Sequence, residues 1–362
     1  FDPIPLPKRT PMPDLAQITH ALDYIEAHLR SPIAVADMAQ AVGYSVYYFC
    51  RCFNQATHHT PYDYLMRRRL SQAARALLES RERIIDVALE YGFNSPETFA
   101  RAFKRVHGLQ PTQLGKRGWI ESRRAMPRLT LAHLEHLHKG PYLTPVLLDK
   151  EAFTIAGVST LVRGDPAAIP ALWRWFTQQL DAAPVLHPPV PNSPIPQFPS
   201  FVGLAYYPQN WETRGHTYMA ALEVPASAPV DVALSVRTLP ASRYARFIHK
   251  GTRADLGLTL DYIYATWLPK SGHSLSQPLV VERYGPHVLL LDDPEAVPGE
   301  APVTRIAEQA PPGFLPVGRP SPDVPGHARV GPKGCRRVEV LQPMGAKTKP
   351  PRFQEHRAAR LV

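Results

Sequence analysis

Two short turns decide how the first third of this chain folds: Val42-Gly43-Tyr44-Ser45 and Tyr91-Gly92-Phe93-Asn94-Ser95. Each turn follows a short apolar segment rich in alanine and precedes an amphipathic one, the pattern of a helix-turn-helix unit. The second helix of such a unit fits into the major groove of DNA. A chain with two units can read successive grooves without forming a dimer, so the pair predicts DNA binding by a monomer.

Charge is distributed unevenly along the 362 residues. The net charge of +10 favours a polyanionic partner. Residues 1–124 carry 17 Lys/Arg against 12 Asp/Glu, residues 125–300 carry 13 against 15, and residues 301–362 carry 11 against 4. By charge, the two ends are therefore candidate nucleic-acid surfaces and the middle is not.

Cysteine and histidine usage predicts no metal site and no cofactor. The three cysteines form no disulfide framework, which favours a reducing compartment. Cys50 and Cys52 would point to different faces of a helix. The cluster His133, Glu135, His136 and His138 matches no standard zinc spacing, so a solvated segment is expected.

The chain has no run of about 20 apolar residues, as a membrane span requires, and no signal peptide is evident. We expect no membrane partner and a cytoplasmic location.

Composition and periodicity divide the chain into five parts. Residues 1–13 hold five prolines and are expected to be a flexible lead-in. Residues 14–118 are predicted to be helical, and residues 119–149 are expected to be a linker. Residues 150–309 have strand-like periodicity. Residues 310–362 are rich in proline and arginine and are expected to be disordered.

In the first unit, the helical spacing of Val46, Phe49 and Phe53 predicts a buried stripe. Ser45 is expected to cap the helix. The opposite face then presents the candidate DNA-contacting residues Tyr47, Cys50, Arg51 and Asn54.

In the second unit, Ser95 is the expected cap and Pro96 takes the first helical position. Phe99, Ala102, Phe103 and Val106 are expected to face inward. The outward face presents Pro96, Glu97, Thr98 and Arg101, followed by the positive charges of Lys104 and Arg105. Between the units, Pro61 opens a long helix, on which Arg67, Arg68 and Arg69 are expected to lie partly outward.

The second half of the chain repeats one order of elements. Strand, helix, strand and strand follow each other from residue 150, and the order begins again near residue 243, with helices over 168–181 and 254–267. This repetition predicts a duplicated β-α-β-β unit that forms an antiparallel sheet with two helices. The whole chain is therefore a multidomain protein, all-α first and α+β second. Val303-Thr304-Arg305-Ile306-Ala307 is the candidate last strand.

Residues 14–118 resemble the DNA-binding domain of AraC/XylS-family transcription regulators. The resemblance rests on Ile84-Ile85-Asp86-Val87-Ala88, Tyr91-Gly92-Phe93-Asn94-Ser95, Phe99-Ala100-Arg101-Ala102-Phe103-Lys104 and Gly108 to Pro111. It implies seven helices, a joining rod over residues 61–78, base and phosphate contacts at the outward residues of both units, and RNA polymerase as a partner. Ala34 stands where the family usually has a serine or threonine that caps the helix. Cys50 stands where the family more commonly has a polar residue that contacts a base.

Residues 150 to about 300 resemble the GyrI-like effector-binding domain, through segments such as Tyr218-Met219-Ala220-Ala221-Leu222-Glu223-Val224-Pro225 and Glu282-Arg283-Tyr284. The resemblance implies a cleft that binds small apolar, often cationic molecules. Glu282 or Glu223 is the candidate carboxylate for such a cation. The candidate aromatic walls are Trp173, Trp175, Tyr206, Tyr207, Trp211, Tyr264 and Trp267.

These features together predict a transcription regulator that binds double-stranded DNA and senses a small-molecule effector, such as a cationic amphiphile, through its second domain. The alternative is a GyrI-like hydrolase that uses Glu282 with Tyr206 or Tyr207. A DNA-repair methyltransferase would need a cysteine cluster before the helices, and residues 1–13 contain no cysteine.

Overall fold

Seven helices form the first domain of the chain. The structure, a computed structural model, describes residues 13–80, 82–118, 124–138, 143–165, 167–182, 201–208, 211–227, 230, 232–251, 255–284 and 337–344. The seven helices are α1 (Leu15–Ala27), α2 (Val35–Ala41), α3 (Val46–Thr57), α4 (Pro61–Glu79), α5 (Ile84–Glu90), α6 (Pro96–His107) and α7 (Pro111–Arg117). This is the helical region that the sequence predicts.

The first domain has two hydrophobic cores that share α4. Leu65 packs in the core of the first helix-turn-helix unit, and Leu70 packs in the core of the second. Helix α2 lacks a capping side chain at Ala34, but Asp37 Oδ2 accepts a hydrogen bond from the Ala34 amide at 2.7 Å. That carboxylate satisfies one of the free amides at the start of the helix.

The three consecutive arginines of α4 are buried, which corrects the expectation that they lie partly outward. Arg68 donates to both oxygens of Glu26 on α1 at 2.7 Å and to the Met126 carbonyl at 2.6 Å. Arg67 donates to Asp63 one turn earlier at 3.0 Å. A buried guanidinium is tolerated because protein oxygens accept the hydrogen bonds that it would otherwise make to water.

Arg69 connects the two units. Its guanidinium donates to the Leu29 carbonyl at 2.9 Å and to the Ser31 carbonyl at 2.6 Å, both in the loop between α1 and α2. The same group lies under the turn of the second unit, where a Cβ on Gly92 would stand 2.7 Å from Arg69 Nη1. Gly92 also has a φ of 78°, so this turn requires glycine for both reasons.

The segment predicted as a linker packs on the first domain. Helix α8 (Leu131–His138) follows residues 124–130, and Met126, Leu129 and Leu134 belong to the first core. The Leu129 amide also donates to the Tyr64 hydroxyl at 3.2 Å. The linker prediction is therefore wrong for residues 124–138, because alternating apolar side chains give this segment a face to bury.

The second domain is built on one antiparallel sheet of eight strands with the order β1-β6-β8-β7-β3-β4-β2-β5. The strands are β1 (Val146–Lys150), β2 (Phe153–Val162), β3 (Phe201–Tyr206), β4 (His216–Val224), β5 (Ser235–Leu239), β6 (Ser242–Lys250), β7 (Leu279–Tyr284) and β8 (Arg337–Pro343). The helical elements are α9 (Ala168–Ala182), α10 (Trp211–Arg214), α11 (Leu256–Asp261), a π-helical segment (Tyr262–Trp267) and α12 (Leu268–Ser271). We refer to the last three as the composite helix 256–271.

The predicted duplication is present in the sheet. The first repeat, β2-α9-β3-β4, places its strands in the order β3-β4-β2, and the second, β6-helix-β7-β8, places them in the matching order β7-β8-β6. Strands β3 and β7 pair at the centre, for example at Gly203 and Glu282. The two repeats therefore form one continuous sheet.

The sheet is strongly curled. Only Glu151 and Ala152 separate β1 from β2, although these strands stand first and seventh in the sheet. Six strand spacings in a flat sheet would span about 29 Å, whereas three Cα steps reach at most about 11 Å. The Lys150 ammonium of β1 accordingly lies 3.2 Å from the Glu223 carboxylate of β4. One apolar face closes inside the curl, and the other is covered by α9 and the composite helix.

The last strand comes from the segment that was expected to be disordered. Strand β8 fills the gap between β6 and β7 and pairs with both. Val340 packs toward the helices and Leu341 toward the inside of the curl. A strand in such a gap buries both of its faces, and Val340 and Leu341 supply apolar side chains for the two faces. The predicted last strand at Val303 lies outside the described residues, as do the other parts of the tail.

The composite helix docks on the first domain through polar contacts, the ring of Tyr262 and Ala265. Thr266 Oγ1 lies 3.0 Å from His59 Nε2, and the Lys270 ammonium donates to the carbonyl of His58, the residue that ends α3. His136 of α8 lies 2.7 Å from Thr259. Ala265 packs within the first core.

The histidine cluster of α8 takes part in this docking and is not a solvated segment as predicted. His136 is buried, and His133 Nε2 lies 3.2 Å from the Asp261 carboxylate. Among the described residues, no three His, Cys, Asp or Glu side chains are placed to share a metal ion. No described helix combines the length and apolarity that crossing a membrane requires.

Replacing Arg68 with methionine should lower the free energy of unfolding by about 3–5 kcal/mol, because Glu26 would keep a buried charge without its partner. Urea unfolding followed by circular dichroism measures the change. Arg75→Met is the matched control on the same helix, since its ion pair with Glu79 is exposed. The control should lose no more than about 1 kcal/mol. Equal losses in the two variants would contradict the assigned role of the buried pair.

Stability should fall as the pH falls from 6.5 to about 4. Burial lowers the pKa of His59 and of His107 to about 4, from an unfolded value of 6.5. Between these values the unfolded chain binds protons that the folded chain does not, at about 1.4 kcal/mol per pH unit for each group. Unfolding midpoints measured across this window test the slope. A double variant, His59→Gln with His107→Gln, should flatten it, and an unchanged slope would contradict the assignment.

Candidate nucleic-acid interface and ligand site

Helix α3 presents an exposed polar face behind a serine cap. The Ser45 hydroxyl accepts a hydrogen bond from the Tyr48 amide at 3.4 Å. Tyr47 is 78% exposed, and Arg51 and Asn54 are also exposed. Cys50 is half-buried beside them. The four predicted outward residues thus lie on one helix, with Cys50 the least accessible.

The buried stripe of α3 differs from the predicted one at its first position. Val46 is 46% exposed, while Cys52 packs in the core together with Phe49 and Phe53. Helical side chains point toward the N-terminus, so the first residue of a helix projects off its end. Placing Val46 in the core was therefore wrong, and Cys52 is a core residue.

Helix α6 repeats this arrangement. The Ser95 hydroxyl accepts from the Thr98 amide at 3.2 Å, and Pro96 stands at the first turn. Glu97, Thr98 and Arg101 are exposed. The Arg101 guanidinium approaches the Thr98 hydroxyl at 3.5 Å.

The charges on α6 are suited to different partners. Hydrogen bonds from its own backbone amide and from the Ser95 hydroxyl, together with the charge of Arg101, lower the pKa of Glu97. Glu97 is therefore a charged group that can only accept hydrogen bonds. Lys104 and Arg105, both exposed, add positive charge in the last turn.

A buried carboxylate lies on the helix-covered face of the sheet. Glu282 is 4% exposed and accepts hydrogen bonds from the hydroxyls of Tyr218, at 2.6 Å, and Tyr284. The Tyr218 oxygen accepts in turn from Trp173 Nε1 of α9 at 3.2 Å. A Cβ at Gly203 would stand 2.2 Å from the Tyr218 oxygen, so glycine is required there.

Two of these partners were missed by the sequence analysis. The alternative enzyme hypothesis paired Glu282 with Tyr206 or Tyr207, and the structure corrects this to Tyr218 and Tyr284. Tyr284 could have been found from the sequence, because residues two apart on a strand share a face. Tyr218 could not, because its position depends on the pairing of β4 with β3.

The second candidate carboxylate lies elsewhere. Glu223 forms ion pairs with Lys150 at 3.2 Å and with Arg283 at 2.6 Å, on the face opposite Glu282. Tyr206 also lies on that opposite face, because alternation separates it from Gly203. The structure therefore separates these two residues from the Glu282 cluster.

The remaining aromatic candidates lie in three different places. Tyr207, Trp211 and Tyr264 line a cavity of about 540 Å³ between the first domain and the second. Trp267 packs against Phe247, with ring centroids 5.0 Å apart. Trp175, on α9, is 47% exposed.

Two family models match the chain: a helix-turn-helix domain over residues 38–117 and a GyrI-like small molecule binding domain over residues 143–294. The right origin-binding protein of Escherichia coli strain K12 is 38% identical over 94 residues, which make up 26% of this chain and 32% of that relative. The match thus spans about a third of that relative's length.

Multiple antibiotic resistance protein MarA of Salmonella typhimurium is 35% identical over 98 residues, 27% of this chain and 77% of MarA. A solved structure of SAV2435 bound to tetraphenylphosphonium matches 56% of this chain and 93% of the SAV2435 chain, with 14% identity and a TM-score of 0.34.

The seven-helix domain with two helix-turn-helix units and the similarity to most of MarA lead to one conclusion. The chain belongs to the AraC family of helix-turn-helix regulators, and a GyrI-like small molecule binding domain follows its helix-turn-helix region.

Proposed function

We propose that the protein is a transcription regulator that binds double-stranded DNA through α3 and α6 and responds to a small molecule bound by its second domain. One observation carries the proposal. Ser45 and Ser95 cap the two helices, and Arg51 and Arg101 occupy the same position in each helix, exposed beyond a buried stripe. The similarity to the right origin-binding protein supports DNA as the partner.

The exposed side chains have the chemistry of base recognition. Arg51 and Arg101 match the paired acceptors of guanine, and Asn54 matches adenine. Glu97 suits a hydrogen bond from the amino group of cytosine, and the ring of Tyr47 suits an apolar contact with a thymine methyl group. Cys50 and Pro96 offer only steric or apolar contacts to the DNA. The remaining DNA-facing groups position the helices and contact phosphate; they are Ser45, Ser95, Thr98, Lys104 and Arg105.

The two units act together because α4 belongs to both cores and Arg69 bridges them. A monomer therefore presents two recognition helices in a fixed relation, and no second copy is needed to reach adjacent grooves. RNA polymerase is the proposed partner through which binding changes transcription.

The Glu282 cluster supports a cationic or apolar effector. Its carboxylate is buried among Trp173, Tyr218 and Tyr284, so the negative charge is surrounded by aromatic rings. Aromatic faces and a carboxylate together attract organic cations. Tyr206, Tyr207, Trp211, Tyr264 and Trp267 lie outside this cluster, and we place them in the ligand-binding domain rather than around Glu282.

A hydrolase is the second candidate function. The 2.6 Å hydrogen bond between Tyr218 and Glu282 joins a hydroxyl to a carboxylate that can take its proton. The relatives that match the chain include one named as an origin-binding protein and one named as a transcriptional regulator, which favours sensing over hydrolysis.

Arg101→Ala should weaken binding to a sequence-specific DNA site by about 1–3 kcal/mol, because one base contact is lost. The site is first selected from random DNA with the full-length protein, and affinity is then measured by fluorescence anisotropy at several salt concentrations. Arg243→Ala is the control, since Arg243 is an exposed arginine of the second domain paired with Asp149. The control should bind as the parent does. Unchanged affinity in Arg101→Ala would remove α6 from the proposed interface.

Glu282→Gln should reduce the thermal stabilisation caused by hydrophobic cations and preserve that caused by neutral ligands of similar shape. Glutamine keeps an acceptor for the tyrosine hydroxyls but removes the charge, and binding to the folded state raises stability by mass action. Differential scanning fluorimetry measures both responses. Equal responses of parent and variant to cations would exclude Glu282 as the effector's counter-charge.

The same pair of proteins tests the hydrolase hypothesis. Each is incubated with an electrophilic ester or amide that binds the parent, and products are measured by chromatography. Turnover in the parent that disappears in Glu282→Gln would establish the enzyme. Recovery of the intact ligand from both would leave the regulator as the supported function.

A further inference from the structure

The cavity between the two domains is lined by aromatic, apolar and charged side chains. We propose that it is a binding site for an aromatic monocation, distinct from the Glu282 cluster, and that its occupant controls how the second domain holds α3. The inference rests on the proposed function, because it assigns the site through which a ligand would affect DNA binding. About 540 Å³ is the volume of a drug-sized ligand pocket.

Aromatic and apolar side chains form most of the cavity wall. Tyr207, Trp211 and Tyr264 come from the second domain, and Leu78 and Met126 come from the first. The ring of Tyr207 stacks on His216 at 4.6 Å and meets Trp211 edge-on at 5.1 Å. These rings support each other and provide a preformed wall for an aromatic ligand.

The charges around the cavity favour a cation. Two carboxylates line it, Glu79 and Asp261, against the guanidinium groups of Arg68 and Arg75. Arg68 is already neutralised by both oxygens of Glu26. Arg75 lies 3.3 Å from Glu79 in an exposed pair. The Asp261 carboxylate lies 3.2 Å from His133 Nε2, and among the described residues no lysine or arginine pairs with it. A cation that lies between this carboxylate and the aromatic rings is stabilised electrostatically by both.

The wall of the cavity is also the element that holds the first recognition helix. Asp261 and Tyr264 of the composite helix face the cavity. Two residues after Tyr264, Thr266 contacts His59, and Lys270 then donates to the carbonyl that ends α3. A cation at a helix C-terminus stabilises that end of the helix. A ligand against Tyr264 therefore touches the same segment that caps α3.

The composite helix has an irregular backbone where it borders the cavity. Residues Tyr262–Trp267 are π-helical, between α-helical turns on both sides. Such segments interrupt the regular hydrogen-bond ladder and frequently occur at functional sites. A change of register here would move Thr266 and Lys270 relative to α3 without unfolding the domain. Binding in the cavity and binding of DNA would then be coupled, and the coupling is reciprocal.

The first experiment locates the site. Isothermal titration calorimetry with N-benzylquinolinium is carried out without DNA on the full-length Glu282→Gln variant, in which the Glu282 cluster has lost its carboxylate. This background is compared with two cavity substitutions and one control substitution made in it. Gln72→Trp fills the cavity from α4, and Asp261→Asn removes the carboxylate charge; each should weaken binding by about tenfold or more. Gln178→Trp, on the exposed side of α9, should bind as the background does.

Two results would overturn the site. They are unchanged binding in both cavity variants, and no binding of the cation by the Glu282→Gln background. Naphthalene-2-sulfonate serves as the anionic counterpart. If it binds the parent as tightly as the cation does, the assigned charge preference is wrong.

The second experiment tests the coupling. The affinity for the selected DNA site is measured with and without N-benzylquinolinium, in the parent and in Lys270→Met. The variant removes the contact to α3 and leaves the cavity wall intact, so it should bind the ligand normally while its DNA affinity no longer responds. A response equal to that of the parent overturns the coupling. Failure to select any DNA site would refute the proposed function instead, while the calorimetry would still decide the site.

Discussion

Helix α4 carries three buried guanidinium groups, and the positions of both recognition helices depend on where those groups find acceptors. Arg68 fixes α4 to α1 through Glu26, and Arg69 reaches the loop after α1 while supporting the turn at Gly92. Apolar contacts alone are non-directional and would allow the units to slide along α4. Hydrogen bonds to a planar guanidinium have direction. We infer that this row of arginines sets the register between the two units.

The two domains are connected through shared elements rather than through a passive linker. Residues 124–138 complete the first core and then meet the composite helix through His136 and Thr259. That helix also covers the sheet through Ile263 and places Ala265 in the core of the first unit. One short helix therefore contacts both the sheet and the end of α3, which gives the ligand-responsive regulator proposed above a physical route.

Local sequence predicted the features that depend on neighbouring residues. The serine caps at Ser45 and Ser95, the helix start at Pro96 and the repeated β-α-β-β order all follow from residues a few positions apart, and the structure has them. The errors concern partners distant in sequence. Arg68 was placed partly outward because charge favours the surface, but its acceptor, Glu26, lies 42 positions away.

The same distinction applies to the candidate site. Alternation along β7 indicated that Glu282 faces inward, but its Tyr218 partner depends on the pairing of β7 with β3 and of β3 with β4. Strand β8 shows most clearly what local sequence cannot predict. A short run that contains valine and leucine in a basic segment becomes a strand only because it fills a gap between β6 and β7.

By itself, the sequence determined the helix-turn-helix units, their capped recognition helices and the duplicated order of the second domain, because periodicity and capping are local. Tertiary structure alone decided which charges are buried, which tyrosines contact Glu282 and how the second domain holds α3, because those outcomes depend on chain segments that meet only after folding.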